Sequence, residues 1–200
     1  MKAKLTKTEI KYLKIFDRRD IRIRIPFQEK RPHILNWTVY YSEPLNIQHL
    51  LENGFNYGIR TGRPIGNYFN VVLDLDDIWA KERMKVERYV ETNKGLHHYL
   101  LLKELPKSCW LVNQDGNKIG EIHSRGRQVV GIGSIHEQGT RYTLKGRANV
   151  KFRLKFEKLT ELQEFLKERN IFTTPWGKKG VENMRDLEVY QPKPKKLISN

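Results

Sequence analysis

The spacing of apolar and polar positions changes along the chain, and each change marks an element. Residues 8 to 16 carry apolar side chains at helical intervals and predict a short amphipathic helix with Thr8 as its cap. Ile21-Arg22-Ile23-Arg24-Ile25-Pro26-Phe27 alternates apolar with basic, the pattern of a half-buried strand with an arginine face. That face either meets phosphates or is ordinary solvated surface. Asn46 or Ser42 caps a predicted helix through residues 47–51, and Gly54 ends it. A short strand over 56–60 and a turn-rich stretch over 61–67 lead into a strand over 68–76. Within it, Val71, Leu73 and Leu75 take one face, and Asp74 and Asp76 the other.

Residues 78–91 mix charged residues with Ile78, Trp79, Met84, Val86 and Val90 and read as a helix. The next strand, from Leu96 to Leu102, separates His97, Tyr99 and Leu101 from Leu96, His98, Leu100 and Leu102. Asn113-Gln114-Asp115-Gly116-Asn117 is a tight-turn signature joining strands at 110–112 and 118–123. Strands over 128–132 and 141–144 follow, then a helix over 160–169 with Thr160 as its cap. Helices mixed with short, mostly antiparallel strands predict an α+β fold rather than a doubly wound parallel sheet. The expected division is a main domain over 1–150, made of two packed units, and a helical segment with a basic tail or linker over 151–200.

Charge narrows the partners. The 200 residues carry 38 Lys and Arg against 23 Asp and Glu, a net charge of +15. Such an excess predicts a polyanionic partner: nucleic acid or nucleoside triphosphates ahead of an anionic membrane. The single cysteine, Cys109, excludes an intramolecular disulfide and a cysteine-based zinc site. No apolar run approaches the ~20 residues of a membrane span, and the basic N-terminus lacks a signal peptide's apolar stretch. The expected location is the cytoplasm.

The candidate chemistry starts at Asp74 and Asp76. Two carboxylates ~7 Å apart along one strand face repel each other. A divalent cation such as Mg²⁺ or Mn²⁺ relieves that repulsion. Alone, the pair also reads as a strand ending in a solvated acidic turn. His97 alone reads as a core-edge histidine, Glu121 as a partner of Arg125 or Arg127, and Ser134 and His136 as turn formers. Strands consecutive in sequence often lie side by side. Three adjacent strands would gather Asp74, Asp76, His97 and Glu121 over one sheet face, the layout of a two-metal phosphoryl-transfer site.

The order of motifs resembles the primase–polymerase domain of the archaeo-eukaryotic primase superfamily, plasmid and virus type. The residues that carry the likeness are Lys30-Arg31-Pro32 with Trp37, and Gly58-Ile59-Arg60-Thr61-Gly62. Asp74-Leu75-Asp76 and Gly95-Leu96-His97-His98-Tyr99 follow, then Glu121-Ile122, Val129-Val130 and Ser134-Ile135-His136-Glu137-Gln138-Gly139. Lys94-Gly95, Glu121 in place of Asp, and Gly131-Ile132-Gly133 depart from the commoner pattern. The resemblance implies a catalytic sheet like an RNA-recognition motif, packed with an N-terminal α/β unit. It implies that Asp74, Asp76 and Glu121 bind Mg²⁺ or Mn²⁺, that His97 contacts nucleotide phosphates, and that Ser134 and His136 lie beside the nucleotide. Arg60 and Arg127 are phosphate or template contacts by charge and neighbourhood. The implied activity is templated nucleotidyl transfer from nucleoside triphosphates to a 3′-hydroxyl on a single-stranded DNA template. It includes primer synthesis for plasmid or virus replication. The chain has no Gly-x-x-x-x-Gly-Lys-Ser/Thr loop, so any helicase is a separate, fused or absent part. The alternatives are a non-catalytic basic nucleic-acid-binding module and a metal-dependent nuclease.

Overall fold

The computed structural model describes residues 4–38, 41–85, 88–146 and 154–191. Helix α1 (Lys7–Leu13) starts one residue before the expected cap. Thr6, not Thr8, caps it: the Thr6 hydroxyl accepts from Glu9 N–H, and the Glu9 carboxylate accepts from Thr6 N–H. Strand β1 (Arg22–Ile25) and helix α2 (Ile47–Glu52) follow, the helix capped by Asn46. Strands β2 (Asn56–Arg60), β3 (Pro64–Ile65) and β4 (Tyr68–Leu75) lead to helix α3 (Ile78–Arg83). Strands β5 (Arg88–Glu91), β6 (Leu96–Leu102), β7 (Cys109–Val112), β8 (Lys118–His123), β9 (Gln128–Val130), β10 (Thr143–Gly146) and β11 (Lys155–Phe156) come next. Helix α4 (Leu159–Lys167) and strand β12 (Phe172–Pro175) close the series.

The fold is mixed α+β, with mostly antiparallel sheets. A three-stranded sheet runs β1-β2-β9, and a nine-stranded sheet runs β10-β5-β6-β4-β8-β7-β12 with β3 and β11 attached. The β11–β6 pair is the one parallel pairing among the described residues. One face of the large sheet buries Leu73, Leu100, Leu111 and Ile122 under α3 and α4, which contribute Ala80, Leu159, Leu162 and Leu166. Each such leucine stabilises the fold by roughly 1.5–3 kcal/mol. The other face is roofed over part of its area. Val72, Val90 and Tyr99 pack there with Leu13 and Phe16 beside α1 and with Ile25, Tyr57 and Ile59 of the small sheet.

Four expectations are corrected. The helix expected over 78–91 is α3, ended by Met84, followed by strand β5; residues 86–87 lie outside the described residues. Its second half pairs between β6 and β10, and sheet pairing outweighs helical propensity there. The arginine face of β1 is not solvated throughout. Arg22 is buried and donates to the Glu43 and Leu45 carbonyls and to Asp17, while exposed Arg24 lies over the Phe55 ring. Lys158 stands at the α4 cap in place of Thr160, and Glu161 accepts from the N–H groups of Glu157 and Lys158. The polar stretch after 171 is not all tail: β12 extends the large sheet at β7. The basic end, Lys193 to Lys196, lies outside the described residues.

Candidate active site

Strand β4 sits mid-sheet, with β6 on one side and β8 on the other. Asp74 stands opposite His97 on β6 and opposite Glu121 on β8, and Glu121 stands opposite Trp110 on β7. Directly opposed residues share a face. His97, Asp74, Glu121 and Trp110 therefore form one row across four strands. Two glycines permit this approach. A Cβ on Gly95 would lie 1.6 Å from the Leu75 carbonyl oxygen, and one on Gly120 would lie 2.3 Å from that of Asp74. Any other residue at either position would push a neighbouring strand away from the acidic end of β4.

Imidazoles flank the central carboxylate. His97 Nε2 is 3.2 Å from one Asp74 oxygen, and His123 Nε2 is 3.3 Å from the other. His123 also lies 3.6 Å from Glu121, whose other oxygen pairs with Lys118. Burial alone would raise the Asp74 pKa, but His97 and His123 together hold it well below the ordinary carboxylate range. Asp76, just past the strand end, is pushed the other way, by burial and by the negative charges of Asp74 and Glu121. Among the described residues, the buried Nδ1 atoms of His97 and His123 have no hydrogen-bond partner.

A cleft of about 490 Å³ opens over the His97–Asp74 end of this row, within the size range of small-molecule sites. Asp74, Asp76, His97 and His123 form its acidic side; Lys30, Lys94 and His136 also line it. His136 Nδ1 accepts from Gln138 N–H at 3.0 Å, which assigns its remaining proton to Nε2. Burial lowers the His136 pKa, and Lys30 and Lys94 lower it further against the opposing charge of Glu137. The Tyr142 ring lies between the two histidines, 5.8 Å from His97 and 6.2 Å from His136. Arg141 holds this wall to α1 through two hydrogen bonds to Glu9, at 2.9 and 3.0 Å.

The structure thus brings together Asp74, Asp76, His97, Glu121 and His136. It separates the other three candidates from the cleft. Ser134 is fully buried, and its hydroxyl accepts from Tyr57 N–H. Arg60 is buried, with its guanidinium donating to the carbonyls of Thr38 and Tyr41. Arg127 stacks over Trp176 at 4.3 Å. His123, Lys30, Lys94 and Tyr142 were not among the sequence candidates. His123 was within reach, because it lies two residues beyond Glu121 on the same strand.

Among the described residues, no group of three or more His, Cys, Asp or Glu side chains is already arranged around a metal position. The donor chemistry nevertheless fits a hard divalent cation. Asp74, Asp76 and Glu121 are oxygen donors of the type Mg²⁺ and Mn²⁺ prefer, and burial together with the charges of Asp74 and Glu121 raises the Asp76 pKa, which a cation would relieve.

The sheet thus carries acids and histidines beneath a cleft that basic residues also line. The family described as bifunctional DNA primase/polymerase, N-terminal (Prim-Pol), matches residues 21–162, and the chain belongs to that family. Membership supports a DNA primase/polymerase activity in general, with a DNA template and nucleotides as substrates. Comparison with curated proteins found no match. Among the described residues, no helix is long and apolar enough to cross a membrane.

Proposed function

We propose that this cleft performs metal-dependent, templated transfer of nucleotides from nucleoside triphosphates to a 3′-hydroxyl, both starting and extending DNA strands during replication of a plasmid or virus. The observation that carries the reading is the row of His97, Asp74 and Glu121 beneath a cleft also lined by Lys30, Lys94 and His136. Asp74, Asp76 and Glu121 would hold Mg²⁺ or Mn²⁺, which when bound supplies positive charge for the reacting phosphate and lowers the pKa of the attacking hydroxyl. His97 and His123 keep Asp74 anionic and oriented. Lys30, Lys94 and the Nε2–H of His136 are donors for the triphosphate oxygens, and the lysines offset its charge. His97 shares that cleft and adds a contact to the phosphates. Ser134 serves at one remove, fixing the backbone that leads to His136. The sheet with α3 and α4 on one face and the row on the other supports a likeness to an RNA-recognition motif.

The test is a paired assay on single-stranded DNA with Mg²⁺ or Mn²⁺ and all nucleotides, one arm primed and one unprimed. Wild type is expected to lengthen the primer and to make new strands. The double variant Asp74→Asn, Asp76→Asn is expected to lose at least about 10³-fold in rate. Shortened strands would instead identify a nuclease. Binding without any change in strand length, equal in both proteins, would identify a non-catalytic module.

A further inference from the structure

A second groove, of about 970 Å³, opens beside the cleft along the chain. Gln128, Val129 and Val130 line the cleft, while the preceding residues Arg125, Gly126 and Arg127 line the groove. Its walls also hold Arg60, Arg63, Trp37 and Tyr190. None of the four arginines has a carboxylate ion-pair partner among the described residues. Arg60 and Arg63 donate to backbone carbonyls, Arg125 lies 5.3 Å from the Tyr190 ring centre, and Arg127 lies over Trp176.

The crowding of positive charge is built into the backbone. Gly62 has φ +70°, and a Cβ there would lie 2.5 Å from the Arg125 Cα. The 61–63 turn and the 124–127 turn therefore touch through their main chains, bringing Arg63 close to Arg125. Burial first, and the Arg125 charge with it, depress the Arg63 pKa against the pull of Asp20. Like charges so placed are relieved by an anion between them. From Arg127 a track of rings leads back to the site. The Trp176 ring is 6.2 Å from that of Trp110, Lys118 Nζ lies 4.8 Å over Trp110, and Trp110 stands opposite Glu121. Trp176 is 40 % exposed, so part of its ring can meet a ligand, and the cation on its other side, Arg127, can meet a phosphate. Cations paired with partly exposed rings suit a single strand, whose phosphates and unpaired bases are both available. A duplex keeps its base faces stacked inside.

We infer that this groove binds single-stranded DNA and that Trp176 and Trp110 form a stacking step that leads the strand to the Asp74–Glu121 row. The strand's role as template rests on the proposed function; the binding itself does not.

Fluorescence anisotropy of a labelled oligothymidylate, without nucleotides or metal and across a salt series, tests this. The double variant Arg63→Glu, Arg125→Glu is expected to bind at least about tenfold more weakly. It should also lower the slope of log affinity against log salt by about 1.4, at roughly 0.7 per lost phosphate contact. Arg63→Gln, Arg125→Gln keeps the side-chain bulk and should show the same flattened slope, with circular dichroism confirming its fold. Trp176→Ala is expected to weaken binding about tenfold with the slope unchanged. A folded glutamine variant with wild-type affinity and slope would overturn the inference, as would tighter binding to the same strand annealed to its complement. Primer extension by wild type with no effect of the groove variants on DNA affinity would remove the groove and leave the enzyme. Groove-dependent binding without any product would do the reverse.

Discussion

Two neighbouring rows cross the large sheet one residue apart, and they have opposite characters. The row His98, Leu73, Ile122, Cys109 lies under α3 and α4 and is sealed from water. The row His97, Asp74, Glu121, Trp110 faces the other way, and its first two residues line the cleft. Each contains a histidine, and the surroundings decide its chemistry. His98 has no exposed surface, its Nε2 bonds to the Met84 carbonyl, and burial pushes its pKa down to about 4. His97 is set against an anion. The pleat alone makes this difference, so a one-residue register slip of β4 would bury two aspartates and expose two leucines.

Substitutions on the two rows should therefore separate activity from stability. The largest effect belongs to the charged row: Asp74→Asn with Asp76→Asn should remove about 4 kcal/mol or more of transition-state stabilisation, read in primer extension, while leaving a folded protein. Leu73→Ala is the opposite case. It should cost roughly 2–5 kcal/mol in denaturant unfolding through lost burial and a cavity, with turnover per folded molecule unchanged. A drop in turnover without a drop in stability would break the comparison.

His98 sharpens it through pH. The unfolded chain takes up the histidine proton near pH 6.5, the folded chain only near 4. Between those values the unfolded state binds more protons, so stability falls as pH falls. The contribution of His98 is full above about pH 6.5 and lost toward pH 4, up to about 3 kcal/mol. Melting temperatures across that window should decline more steeply for wild type than for His98→Phe. The smallest effect is expected at Glu9, which tethers α1 to Arg141 in the cleft wall. Burial would raise its pKa, but the Arg141 hydrogen bonds bring it below 4.5. Its stabilising pair is thus present above pH 4.5 and lost as pH falls through the lower folded value. Glu9→Gln should cost about 1 kcal/mol at neutral pH and flatten the acid limb of the stability curve.

The alternation of β4 was legible because a period of two needs only local sequence. It placed Asp74 and Leu73 on opposite faces, and the same rule on 96–102 and 118–123 separated His97 from His98 and located Glu121. The expected gathering of these strands is met, since β6 and β8 flank β4, but the order is not one of consecutive neighbours: three strands intervene in sequence between β4 and β8. What local pattern lacks is the partner. Arg60 and Ser134 read as ligand contacts because their types suit phosphates, yet backbone carbonyls and an amide hold them in the interior. Residues 88–91 read as helix because their use as a strand depends on β10, some fifty residues on. Lys30 and Tyr142 reach the cleft from distant loops, and no spacing rule connects them to β4.

The strand order β10-β5-β6-β4-β8-β7-β12 interleaves early and late parts of the chain. During synthesis, the apolar underside of β4 and β6 emerges well before Leu159, Leu162 and Leu166, which cover it, and before β12, which closes the edge at β7. A nascent chain stopped near residue 150 carries every acid and histidine of the cleft but an uncovered greasy underside and an open strand edge, both prone to self-association. The cleft and its apolar cover are thus expected to become stable together, once residues 159–175 have been made.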